Sequence, residues 1–295
     1  MSVSPTTIRS AVREASARLA VAGVPSPQAD AVELAAFTLG VEPREIRQAM
    51  ALGKTWEQER GDRFADLVAE RAERIPLQHL TGRAYFRHLT LHVGPGVFVP
   101  RSETEVVAGL AIDAAQAMLA AGVAQPVVVD LCTGSGAIAL AVADEVPTAR
   151  VYAVEVSELA HAWAARNVEA SGLPVRLCLG DATSAFPELE GAVDVVVSNP
   201  PYIPVDQVPV DPEVAEHDPQ VALYGGSADG LAIPLAVAAR AAELLRPGGV
   251  LVMEHADAQG ASLPAALMGT GSWAEAVDHP DLAGRPRAVV ARRRG

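Results

Sequence analysis

The segment Val127-Val128-Val129-Asp130-Leu131-Cys132-Thr133-Gly134-Ser135-Gly136-Ala137 passes from a valine-rich run, through a turn of small residues, into an alanine-rich stretch. The run does not alternate apolar with polar residues, so both its faces are covered, as in a parallel sheet flanked by helices. The same unit recurs downstream. Helix is predicted over 137–143, strand over 151–156, helix over 158–170, and strands over Val175–Leu179 and Val193–Ser198. A helix over 230–245 and a strand over 250–254 extend the alternation, with 273–277 and 288–291 as candidate edge strands. This order predicts an α/β fold, a doubly wound domain with a mainly parallel sheet.

Cys132, Thr133, Gly134, Ser135 and Gly136 read as a nucleotide-type loop, where missing side chains let a ligand approach the backbone and the helix N-terminus. Glu155, at the tip of the next strand, is placed to accept hydrogen bonds from ribose hydroxyls at the carboxyl ends of the strands. The pair predicts an adenosine site. The loop alone leaves the cofactor open, because Gly134, Gly136 and Ala139 also fit the dinucleotide fingerprint with alanine in its last place. Gly180-Asp181-Ala182 adds an acidic residue where an adenine edge would lie, although an Asp in a turn is as often a cap.

Ser198-Asn199-Pro200-Pro201-Tyr202-Ile203 follows a further apolar strand. Two prolines after a buried strand stop the ladder and stiffen the chain, so that backbone carbonyls and the Asn199 amide point into the crevice. A rigid set of acceptors suits methyl transfer to a planar nitrogen, whose lone pair is delocalised and whose two hydrogens can be held. Asn199, Pro200 and Tyr202 are the candidate catalytic residues, with Pro201 in the substrate site and Tyr202 stacking on the planar group.

Upstream the character changes. Ser26-Pro27 predicts a helix start, and Ala29, Val32, Ala36 and Leu39 recur at helical spacing until Gly40. Similar periodicity in Ile8, Val12, Ala15 and Leu19, and in Phe64, Leu67, Val68 and Arg71, predicts a small helical bundle. Tyr85, Leu89, Leu91 and Val93 then alternate, Gly94-Pro95-Gly96 punctuates, and Val97-Phe98-Val99 follows, which predicts a β-hairpin linker. The expected organisation is a helical domain over 1–83, a hairpin linker over 84–101 and a catalytic domain over 102–295.

The net charge of −13 is the wrong sign for a protein that holds a phosphate backbone by charge, and the excess lies beyond Thr90, with about 11 basic and 25 acidic residues. Direct nucleic-acid partners are therefore not expected. Cys132 and Cys178 cannot form a disulfide framework, Met1 to Ser10 lead into no apolar run like a signal peptide, and no run approaches a membrane span. The expectation is a cytoplasmic protein with no membrane partner. His217, His255 and His279 lie apart from each other and from the cysteines, so no metal is expected and they read as surface or turn histidines. Cys132 reads as an inert thiol rather than a nucleophile, and Trp56, Trp163 and Trp273 as core or interface residues.

With the glycine loop, Glu155, Asn199-Pro200-Pro201-Tyr202 and the Leu245-Arg246-Pro247-Gly248-Gly249 turn, the chain resembles class I S-adenosylmethionine-dependent methyltransferases of the amino-methylating type. Longer stretches narrow the likeness. They run from Pro76 to Gly82, from Pro95 to Glu105, from Ala222 to Leu231 and from Asp281 to Arg287, and are similar to the protein-(glutamine-N5) methyltransferases called PrmC or HemK. That resemblance implies S-adenosyl-L-methionine as cofactor. It implies as substrate the Gly-Gly-Gln loop of class 1 peptide-chain release factors, proteins of translation termination, received by the helical and catalytic domains together. It also implies that residues 132–136, Glu155 and Ala182 line the cofactor site, that Asn199 touches cofactor and substrate, and that Phe98, Pro100 and Arg101 flank the pocket. The chain departs from the family at Cys132, often glycine, at Glu155, often aspartate, at Ser102, often proline, and at Ala182, often Trp. The first three keep the chemistry, and Ala182 removes a packing surface for adenine. The competing readings are a glutamine methyltransferase of a ribosomal protein and a DNA or RNA adenine methyltransferase.

Overall fold

In the computed structural model, which describes residues 6–295, the chain runs through α1 (Ile8–Val21), α2 (Pro27–Leu39), α3 (Pro43–Ala51), α4 (Gln58–Ala72), α5 (Leu77–Thr81), β1 (Arg83–Phe86), β2 (Leu89–His92) and α6 (Thr104–Ala120). There follow β3 (Val127–Leu131), α7 (Ala137–Glu145), β4 (Arg150–Glu155), α8 (Glu158–Ser171), β5 (Val175–Leu179), β6 (Val193–Ser198), α9 (Pro212–His217), α10 (Ala232–Leu244), β7 (Leu245–Glu254), α11 (Ser262–Gly269), β8 (Trp273–Pro280) and β9 (Pro286–Arg293). Residues 1–5, at the start of the expected helical domain, lie outside the described residues. The chain divides into two units, one up to Gly82 with Val210–His217, the other Arg83–Pro209 with Asp218–Gly295.

The larger unit is built on a seven-stranded sheet of order β5-β4-β3-β6-β7-β9-β8. Its first five strands are parallel, as their valine-rich sequences predict, and β9 and β8 close one edge antiparallel. Successive side chains go to opposite faces. Val128, Val195 and Val197 join one core with Ile112 of α6 and Leu140 of α7, while Val129, Leu131 and Val196 join the other with Leu244 of α10 and Leu263 of α11. β5 is the exception to the fully covered pattern: as an edge strand it leaves Leu179 exposed. Because β3 pairs with both β4 and β6, the winding reverses beside β3, and a crevice opens there at the carboxyl ends.

The hairpin is tighter than the sequence suggests. β1 and β2 pair through an Arg87-His88 turn, with Arg87 at φ 51, and 97–99 forms no strand, because Pro95 and Gly96 (φ +92) bend the chain away. Val93 and Val97 are buried with Ala84 and with Ala160 of α8, and Asn167 of the same helix bonds both the N–H and the C=O of His92. The segment is thereby fastened to the sheet domain's own helix.

In the helical unit Ser26 occupies the N-cap of α2 without a side-chain capping bond, and Gly40 ends the helix at φ 68. The buried face of α2 is wider than the predicted stripe, taking in Ala31, Leu34, Ala35 and also Asp30. Asp30 is buried because Arg71 of α4 reaches it (Nε–Oδ2 2.8 Å), and the same guanidinium bonds Glu213 of α9 (Nη2–Oε1 2.8 Å). Arg74 adds bonds to Glu213 and Asp211. Five charged groups thus fix α9, a segment remote in sequence, onto the bundle.

Candidate active site

At the carboxyl end of β3 the chain enters the glycine loop with Cys132 at φ 68, Gly134 at φ 58 and Gly136 at φ 86. Space explains Gly134: a Cβ built there meets no atom within 4 Å, so the loop leaves a cradle open before the first turn of α7. Thr133 does not face that cradle. Its hydroxyl donates to Asp130 (2.6 Å), whose same oxygen accepts the Ala139 N–H (3.1 Å), tying the strand end to the helix start. Burial pushes the Asp130 carboxyl up to about 7. Ser135 is buried, and its carbonyl accepts from Asn167 (2.9 Å). Burial, and then the carboxylates of Glu155 and Asp130, push the Cys132 thiol up to about 12, so it stays protonated and inert.

Glu155, last residue of β4, lies across from this loop. Its Oε2 accepts the Gly134 N–H (2.9 Å) and its Oε1 the Ser157 N–H (2.8 Å), and burial raises its pKa against those bonds. Asp181 is exposed and caps its own turn, accepting the N–H (2.8 Å) and hydroxyl (2.7 Å) of Thr183. Ala182 is buried in the core with Val154 and Phe186. Asn199, Pro200, Pro201 and Tyr202 leave the end of β6, the strand next to β3. Pro200 and Pro201 are buried, Asn199 and Tyr202 partly so. Asn199 donates from Nδ2 to Thr104 (3.4 Å), its carbonyl oxygen has no donor among the described residues, and the Tyr202 hydroxyl donates to Glu254 (3.2 Å). Beside the turn, Arg101 lies 5.2 Å over the Phe98 ring and pairs with Asp218 (2.6 Å).

The family model of the Methyltransferase small domain matches residues 89–216, and that of the PrmC N-terminal domain matches residues 10–82. Over 283 residues the chain is 53% identical to the release factor glutamine methyltransferase of Streptomyces coelicolor, covering 96% of both. The chain belongs to the release factor glutamine methyltransferase family. A second member, from Mycolicibacterium smegmatis, is 47% identical over 290 residues, 98% of each chain. At 41% over 282 residues, 95% of this chain and 94% of the other, stands a 4-amino-L-phenylalanine/4-methylamino-L-phenylalanine methyltransferase of Streptomyces pristinaespiralis.

Release factor glutamine methyltransferases are class I methyltransferases, and their cofactor, S-adenosylmethionine, suits the residues present in this chain. The open cradle at Gly134 admits backbone approach, and the Glu155 carboxylate keeps lone pairs beyond the two N–H groups it accepts, enough for a ribose diol. Glu155 also braces the loop through the Gly134 N–H, which its position in the sequence does not reveal. Replacing it with Ala is expected to weaken S-adenosylmethionine binding by about 1–3 kcal/mol, as unmet hydrogen-bonding partners cost. Calorimetry giving wild-type affinity would remove Glu155 from the cofactor site.

Sequence reasoning missed Thr104, Glu254, Gln259 and the packing role of the stretch from Ala222 to Leu231. Gln259 is buried, and its amide donates to the carbonyls of Tyr202 (3.0 Å) and Asp229 (2.9 Å). Ile203 bonds Leu223 and Gly225, and a Cβ on Gly230 (φ +73) would stand 2.1 Å from the Tyr202 oxygen. The glycine-rich stretch is therefore the mould of the Asn-Pro-Pro-Tyr turn. Gly230→Ala should lose at least ~2 kcal/mol of stability through left-handed strain and overpacking. A melting temperature equal to wild type would contradict that close approach. Among the remaining residues, His255 is fully buried beside Asp278 (2.9 Å) rather than on the surface, because it follows the last residue of an interior strand. Among the described residues no group of His, Cys, Asp and Glu is arranged to hold a metal, and no helix is long and apolar enough to cross a membrane.

Proposed function

We propose that this protein methylates the side-chain amide nitrogen of the glutamine in the Gly-Gly-Gln loop of class 1 release factors, with S-adenosylmethionine as donor. The observation that carries the reading is the Asn199 amide, anchored through its nitrogen with its carbonyl oxygen left to accept, in a turn beside the glycine loop. The relatives named for this activity along nearly the whole chain support it.

The cofactor supplies an electrophilic methyl group on a sulfonium. Glu155 and the backbone of residues 132–136 would hold it, and Asp181 and Ala182, at the turn after β5, would stand at the adenine end. Asn199 Oδ1 and the Pro200 carbonyl accept the two hydrogens of the substrate amide, fixing its plane and turning the nitrogen towards the methyl carbon. Such preorganised acceptors gain strength as the nitrogen becomes more positive in the transition state. Tyr202 offers its ring to the planar group, and the proton displaced from nitrogen leaves to water. The acidic charge excess disfavours a nucleic-acid substrate.

A second reading has a specific support. The relative acting on 4-amino-L-phenylalanine matches almost the full chain, and an aromatic amine shares the delocalised lone pair that such a turn serves. The test offers methyl-labelled S-adenosylmethionine with an intact release factor, a variant of it lacking the loop glutamine, 4-amino-L-phenylalanine and an adenine-containing oligonucleotide. Label on the loop glutamine alone supports the proposal. Label on the amino acid or the oligonucleotide, with an unmodified release factor, overturns it.

A further inference from the structure

We propose that Thr104 and Glu254 are positioning residues for methyl transfer, acting through Asn199 and Tyr202. The inference rests on the proposed chemistry of the Asn-Pro-Pro-Tyr turn. A side-chain amide can present either its oxygen or its nitrogen, and only the oxygen can accept from a substrate N–H. What selects the face lies outside the turn.

Thr104, first residue of α6, is buried, and its oxygen accepts from Asn199 Nδ2 at 3.4 Å. Burial raises the carboxyl of Glu254, the last residue of β7, to about 7, and the Thr104 hydroxyl, Arg287 and the Tyr202 hydroxyl pull it back towards its charged form. In that charged form the carboxylate only accepts, so Thr104 donates to it and is left to accept from Asn199. That order pins the Asn199 nitrogen and frees its oxygen. The same carboxylate receives the Tyr202 hydroxyl at 3.2 Å, so one buried group sets both side chains of the turn. β7 pairs with β6 at Ser198↔Met253, which brings Glu254 beside Asn199 by register, and no local sequence signal connects the two.

The experiment is steady-state kinetics of the full chain on an intact release factor. Thr104→Val keeps the shape and removes the hydroxyl. It is expected to lower kcat ~10–100-fold, as loss of an orienting group does, with an unchanged melting temperature and KM for S-adenosylmethionine. Thr104→Ser, which restores the hydroxyl, should return kcat to within about threefold of wild type. Glu254→Gln should also lower kcat, since its amide can donate to Thr104 and reverse the order. In an Asn199→Ala background Thr104→Val should cost nothing further, because the two act in series. Wild-type kcat in Thr104→Val, or a full additional loss on top of Asn199→Ala, overturns the positioning role alone. Absence of transfer by the wild-type protein overturns the substrate reading and this inference with it.

Discussion

Asn199→Ala is expected to reduce the rate of methyl transfer to a release factor by two to three orders of magnitude, roughly the cost of removing a preorganised hydrogen-bonding group from a reacting centre. The expectation follows from how little else the turn offers. Pro200 and Pro201 have no N–H, their carbonyls are fixed by the chain, and the Tyr202 carbonyl is already taken by Gln259. Asn199 supplies the side-chain carbonyl of the turn, and its nitrogen is occupied by Thr104. Single-turnover measurement separates this loss from binding. A variant turning over near the wild-type rate would show that the turn is a structural stop after β6 and nothing more.

Arg71→Ala is expected to destabilise the helical unit by about 3–5 kcal/mol, the usual cost of breaking a buried ion pair by removing one partner. Asp30 and Glu213 would both be left buried, with one cation lost to two carboxylates. The effect should depend on pH. Burial already holds the Asp30 carboxyl above its ordinary value despite Arg71, and without the guanidinium it rises further. A carboxyl raised in the folded state contributes stability that is present below its unfolded pKa and lost as pH climbs through the folded one. The deficit of the variant against wild type should therefore be smallest near pH ~4 and reach its full size by pH ~8. Urea unfolding at both pH values checks it, and a deficit under ~1 kcal/mol at the higher pH would mean that the pair is screened by solvent.

The sheet was legible because its signal is local. An unbroken run such as Val193 to Val197 can exist only where helices cover both faces, and a turn of small residues after Leu131 can precede a helix in few ways. For the same reason Cys132, Gly134, Gly136, Glu155 and Asn199 could be named in advance: each lies at a strand's carboxyl end, which the strand pattern itself locates. Legibility stopped where a residue's task depends on what packs against it. Thr133 falls inside the loop by sequence and turns inward to Asp130, and Asp181 closes its own turn. Val97-Phe98-Val99 reads as a strand by composition and forms none, because Pro95 and Gly96 bend the chain.

By itself the sequence determined the doubly wound domain, its valine-rich strands, the glycine loop and the Asn-Pro-Pro-Tyr turn, since periodicity and backbone stereochemistry act over a few residues. Only the tertiary structure decided that Thr104 holds the Asn199 amide and Glu254 the Tyr202 hydroxyl, that Gln259 and Gly230 mould the turn, and that Arg71 joins Asp30 to Glu213. These partners are separated by tens of residues or more along the chain, and buried polar groups choose each other by register and packing, where leaving one unpaired costs more than any local preference supplies.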